Sequence, residues 1–172
     1  MRAAAVLGAL VVALLVQTSL AGISFRSAGL VNLVLVAVVY VAIGYGPVAG
    51  LLAGTAGGLV QDALSGGIVG IGGLSKTLVG FVVGVLSAQF IVSQPLPRLV
   101  MFVGATIAHE LCFQALYALV ESRAFAMSSS AVLTQAVING AIGILAFQVV
   151  EKSPTMVARR RARRATLGRR SY

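Results

Sequence analysis

The side chains in this chain that could do chemistry are few, and they stand in apolar surroundings. His109 and Glu110 are adjacent, Cys112 follows two residues later, and Asp62 and Lys76 flank a glycine-rich segment. A His-Glu pair opens the H-E-x-x-H pattern of zinc proteases, in which two histidines one helical turn apart hold the metal and the glutamate is the general base. Such a site is excluded because the second ligand position is Phe113 and the chain has a single histidine. A nucleophilic triad needs a histidine beside an activated hydroxyl or thiol. Cys112 lies three residues from His109, but no oxyanion-hole pattern accompanies it. An unpaired charge in the middle of a membrane span costs at least about 2.5 kcal/mol, so Glu110 is expected to face inward or to be neutral. Hydrogen bonding between helices accounts for His109 and Glu110 better than catalysis does. The chain is read as a non-enzyme with no cofactor and no metal.

Asp62 and Lys76 belong to the stretch from Gly46 to Gly84, around which the chain is organised. Its glycines fall in two rows of stride four: Gly46, Gly50, Gly54 and Gly58 lead to Asp62, and Gly72 and Lys76 lead to Gly80 and Gly84. Residues four apart share one ridge of a helix, and glycine there removes the side chains that keep two backbones apart. Between the rows, Ser65 to Gly73 holds five glycines in nine residues, including Gly66 and Gly70, which suits a bend. The pattern predicts a helical hairpin. Asp62 near the end of its first arm meets an unfavourable helix dipole and needs compensation, either from Lys76 or from amides of the Ser65 to Gly67 turn. A locked turn is favoured over ion or proton transport, which would need more titratable groups to continue the path. A stride of four drifts by about 40° per step around a helix, so part of each row is expected to leave the seam. Gly46, Gly50, Gly80 and Gly84, far from the turn, form the expected face for a partner helix.

These elements require a membrane. Of 172 residues, 59% are hydrophobic and 10% charged, and the mean hydropathy is +1.01, which leaves too little polar surface to cover a soluble globule. Apolar runs from Ala3 to Phe25, Ala28 to Tyr45, Pro47 to Leu64, Gly70 to Val92, Leu99 to Val120 and Ala131 to Val150 each approach the ~20 residues that span hydrocarbon as a helix. None alternates as a barrel strand would. The expectation is an all-α integral membrane protein, with a six-helix bundle over residues 1–150 and a basic tail over 151–172. Arg2 and Ser19-Leu20-Ala21 imitate a signal peptide, but the apolar run continues to Phe25. Gln17, Thr18 and Ser19 near the end of the first run can bond to a neighbouring helix. With six spans, Arg2, Arg98, Lys152 and the arginines of the tail share one side, against Arg26 and Arg123 on the other, so both termini are expected in the cytoplasm. No segment on the far side is large enough to fold as a domain.

The order of these features resembles the rod shape-determining protein MreD family, over nearly the whole chain. Gln17, the aliphatic run Leu30 to Tyr40, the pattern G-x-x-x-G-x-x-x-D-x-x-S-G-G-x-x-G from Gly54 to Gly70, and Asn139-Gly140 before a basic tail carry the resemblance. Val31-Asn32 departs from it, since the family often has a proline beside a polar residue there. The resemblance implies a non-catalytic scaffold of the bacterial cell-elongation complex in the inner membrane, supporting the positioning of peptidoglycan synthesis. The implied partners are the transmembrane helix of MreC and, indirectly, RodA and its penicillin-binding transpeptidase. The implied bundle is similar to substrate-binding subunits of energy-coupling-factor transporters, and a small-molecule-binding subunit of that kind is the competing function. The chain has no Trp and few polar residues in the far halves of its spans with which to build such a pocket. Arg159, Arg160, Arg161, Arg163, Arg164, Arg169 and Arg170 are expected to lie on anionic lipid, worth about 1 kcal/mol per cation. Without interleaved aromatics they do not point to nucleic acid.

Overall fold

The computed structural model describes residues 2–23, 30–90, 94–122 and 128–152. These residues form six α-helices: α1 (Arg2–Ile23), α2 (Leu33–Tyr45), α3 (Pro47–Ser65), α4 (Ile71–Gln89), α5 (Pro95–Glu121) and α6 (Ser129–Lys152). By length and composition α4, α5 and α6 can cross a membrane. Prolines begin α3 and α5, where a missing N–H costs nothing. Arg98, expected between the fourth and fifth spans, is in the first turn of α5 and 9% exposed, with its guanidinium 4.3 Å above the Phe147 ring of α6. A cation over an aromatic face is stabilising, and the aliphatic stem packs as well.

The second helix departs furthest from expectation. The apolar run from Ala28 to Tyr45 suggested a full span, but helix begins only at Leu33, and 13 residues rise about 20 Å against roughly 30 Å of hydrocarbon. It is the core of the bundle. Val34, Leu35, Val36, Val38, Val39, Val41 and Ala42 are all buried, facing different sides of the helix, and α1, α3, α4, α5 and α6 pack around them. A helix apolar all round is the kind a bundle can bury completely. One cluster joins Leu35, Val36 and Val39 to Val79, Val83, Phe102 and Phe147; another joins Val38 and Val41 to Leu10 and Ala53.

The glycine rows make the α3–α4 hairpin. A Cβ on Gly50 would strike the carbonyl of Gly80, one on Gly54 the carbonyl of Lys76, one on Gly58 the backbone of Gly73, and one on Gly84 the backbone of Pro47. Contacts step down one helix as they step up the other, four residues at a time. The expected partner face at Gly46, Gly50, Gly80 and Gly84 is therefore corrected at three of its four positions, while a Cβ on Gly46 would meet nothing within 4 Å. Gly50, Gly80 and Gly84 lie inside the seam, and Gly46, at the α2–α3 junction with φ +92°, has its carbonyl carbon against Gly84. The reason is geometric. A stride-four ridge is inclined to the helix axis, and two helices that cross obliquely keep such ridges in contact over several turns. The hydroxyls of Thr55 and Thr77 meet at 2.8 Å across the same seam.

Candidate functional site

The polar residues of the bundle fall in three groups. At the hairpin turn, one oxygen of Asp62 accepts hydrogen bonds from the N–H of Gly70 at 2.9 Å and of Gly73 at 3.0 Å. Both amides belong to the start of α4, where N–H groups lack partners within the helix. The carboxylate ends one helix, where the dipole disfavours it, and caps the next, where the dipole favours it. Of the two compensations expected for Asp62, amides provide it, but they are those of Gly70 and Gly73 and not of Ser65 to Gly67. Gly72 has no room for a Cβ because the other Asp62 oxygen occupies that space, and Gly66 (φ +69°) and Gly70 (φ +110°) hold left-handed conformations that a side chain would strain. The Ser65 hydroxyl donates to the Asp62 carbonyl at 3.2 Å. From α5 the Tyr117 hydroxyl accepts the N–H of Ile68 at 3.3 Å, so the turn is tied to a third helix.

The second group closes the N-terminus of α2, which begins deep in the bundle. Asn32 caps it, its side-chain oxygen accepting from the N–H of Leu35 at 3.0 Å. Gln17 on α1 accepts from the N–H of Val34 at 3.1 Å and donates to the Val31 carbonyl at 3.5 Å. Asn139 on α6, fully buried, accepts from the N–H of Asn32 at 3.0 Å and donates to the Thr106 hydroxyl on α5 at 3.3 Å. Four helices thus meet where backbone amides would otherwise be stranded without water. Asn32, the departure from the family pattern, is the residue that starts the helix. The hydroxyls of Thr18 and Ser19 bond back to carbonyls of their own helix and, among the described residues, reach no neighbouring helix.

The third group links α4, α5 and α6. Lys76, 2% exposed, places Nζ 3.2 Å from Nε2 of His109. An ammonium only donates, so Nε2 accepts and Nδ1 carries the ring hydrogen. Nδ1 lies 3.6 Å from Oε1 of Glu110, too far for a hydrogen bond, and is left without a hydrogen-bond partner among the described residues; Gln135 of α6 reaches the same carboxylate. His109 stacks on Phe113, and the Phe113 ring meets that of Tyr117 at a tilt of 51°, so one stripe of α5 connects this group to the turn. One buried hydrogen bond, Lys76 to His109, thus joins α4 to α5, with the Glu110 carboxylate beside it.

Sequence reasoning singled out Gln17, Asp62, Lys76, His109, Glu110 and Asn139 without their partners. It missed Asn32, Thr106, Tyr117 and Gln135. The stripe His109, Phe113, Tyr117 at stride four was a readable signal for one of these. The tail arginines from Arg159 to Arg170 lie outside the described residues.

The family model for rod shape-determining protein MreD matches residues 3–153. The chain belongs to the MreD family. Membership implies a role in determining rod shape, and with three helices able to cross a membrane it marks a membrane protein of that system. No curated protein and no solved structure matches the chain, so the expected likeness to energy-coupling-factor subunits finds no support there.

Proposed function

We propose that this MreD family member is a non-catalytic scaffold of the cell-elongation complex, a six-helix bundle in the bacterial inner membrane with both termini cytoplasmic. The observation that carries this reading is the engagement of its buried polar groups in holding helices together. Asp62 caps α4, Gln17 and Asn139 close α2, and His109 ties α5 to Lys76. A rigid bundle suits a protein that positions others. Its partner is the transmembrane helix of MreC, and through MreC the RodA glycosyltransferase and its transpeptidase. Because the glycine rows are occupied by the hairpin, the seat for that helix shifts to surfaces that remain open. Gly8 on α1 and Gly104 on α5 are glycines of that kind, with nothing within 4 Å of an added Cβ. The arginine tail lies on anionic headgroups, and truncation after Pro154 is expected to spare partner binding while reducing affinity for anionic lipid.

Affinity purification from detergent at matched expression, with quantitative mass spectrometry, tests the scaffold. Enrichment of MreC is expected. Absence of MreC together with saturable binding of a small metabolite to the isolated protein would replace the scaffold by a transporter subunit.

A further inference from the structure

α2 is the buried centre of the bundle, yet one strip of it is uncovered. Among the described residues α1 and α6 both pack on α2 or its neighbours without packing against each other. Beside α2 lies a slot of about 410 Å³, with Gly8, Val12 and Val16 of α1 as one wall, Ala146 of α6 on the other side, and Val36 and Tyr40 of α2 as its floor. A Cβ built on Gly8 would meet nothing within 4 Å, so the α1 wall has room to spare. Walls of this kind offer a polar metabolite no hydrogen-bonding side chain, whereas an alkyl chain fills them without leaving any polar group unpaired.

The two ends of the slot differ. Toward Val16 it is shut, because Gln17 of α1 accepts from the N–H of Val34 and draws α1 onto α2. The other end collects cations. α1 runs against α2, since Gln17 meets Val34 while Leu10 packs with Val38 and Val41. α6 runs along α2, since Asn139 meets Asn32 while Phe147 meets Tyr40. The start of α1 and the end of α6 therefore lie at the same end of the bundle as the end of α2. Arg2 stands six residues before Gly8 and Lys152 six after Ala146, about 9 Å along each helix. Arg98 is at this end too, with its guanidinium over Phe147. Glu151 is the one acid placed there among the described residues, which leaves an excess of positive charge at the mouth of the slot.

We propose that the slot is a phospholipid site: one acyl chain lies on α2 between α1 and α6, and an anionic phosphate headgroup sits at the end where Arg2, Arg98 and Lys152 gather. Cations at the membrane boundary beside an apolar gap between helices are the complement of such a lipid. The groove between α4 and α5 has a similar apolar lining but not the charge, since α4 ends at Gln89 and Arg98 of α5 is turned onto Phe147 of α6. Of the two open glycines, Gly8 is then taken by lipid, and the face at Gly104 is left for a partner helix. The slot is separate from the arginine tail, and it rests on the membrane location of the chain and not on the scaffold reading.

Native mass spectrometry of the full-length protein in detergent tests the site, with phosphatidylglycerol and phosphatidylcholine of identical acyl chains added in equal amounts. The first lipid bound is expected to be phosphatidylglycerol, with a several-fold preference. Gly8→Phe, which fills the slot, is expected to cut that first adduct several-fold, whereas Gly104→Leu leaves it unchanged. Arg2→Gln combined with Lys152→Gln is expected to bring phosphatidylglycerol down toward the level of phosphatidylcholine. Equal retention of the two lipids by the wild-type chain overturns the site, whether or not any variant folds. A folded Gly8→Phe chain that keeps the wild-type adduct assigns the lipid to the tail and overturns it as well; if that chain also loses MreC, the slot receives a helix instead. Should Gly8→Phe fail to fold, the double charge variant decides, and an unchanged preference in it contradicts the site.

Discussion

The two sides of α4 hold their neighbours by opposite means. Toward α3 the backbones touch, with glycine facing glycine or carbonyl over four helical turns. Toward α5 they stand apart around a groove, and a chain of polar side chains bridges the gap. Within a membrane there is no hydrophobic drive to join helices, so close packing and hydrogen bonds are the means available, and this chain uses one on each side. The seam tolerates no added atom. The groove tolerates added atoms, and the link beside it depends on the pairing of Lys76 with His109.

The largest effect is expected in the seam. Gly54→Leu or Gly58→Leu drives a side chain into backbone that cannot yield, beyond the usual 1–3 kcal/mol or so of overpacking, and should abolish the folded peak in size-exclusion chromatography. Next comes Asp62→Ala, which strands the amides of Gly70 and Gly73 at roughly 1–3 kcal/mol each; Asp62→Asn keeps an acceptor and should lose about half as much in thermal melts. A double-mutant cycle then separates the two sides of α4. Lys76→Met and His109→Phe should couple by about 0.5–3 kcal/mol, whereas Lys76→Met and Asp62→Ala, linked by charge without a hydrogen bond, should couple less. Coupling of Lys76 to Asp62 larger than to His109 would merge the two regions into one network. The smallest effect is expected at Gly104, where a Leu meets open space and should shift stability by no more than about 0.5 kcal/mol.

What was legible in the sequence follows the same division. The hairpin could be read because a stride of four is a property of one helix and glycine has one use on such a ridge. The end of the seam could not, since whether a ridge stays in contact depends on the crossing angle, which no single helix encodes; hence Gly80 and Gly84 were expected on the outside. The α4–α5 link was half legible. His109 and Glu110 announced themselves as costly in an apolar span, but their partners lie 33 residues away for Lys76 and on another helix for Gln135, and pairing at that range comes from the bundle. The α2 run misled because hydropathy does not distinguish a segment that spans lipid from one buried in protein. Asn32 was the available mark of a helix start, and it was noted only as a departure from a family pattern.

The far ends of the glycine rows close the hairpin seam, and on the function proposed above they receive no partner helix. Gly80→Leu decides it, measured as folded protein and as MreC recovered from the same membranes. The seam predicts that folded protein and bound MreC fall together, since the Leu collides with the Gly50 carbonyl. A Gly80→Leu chain that accumulates folded at the wild-type level and loses MreC alone would contradict it.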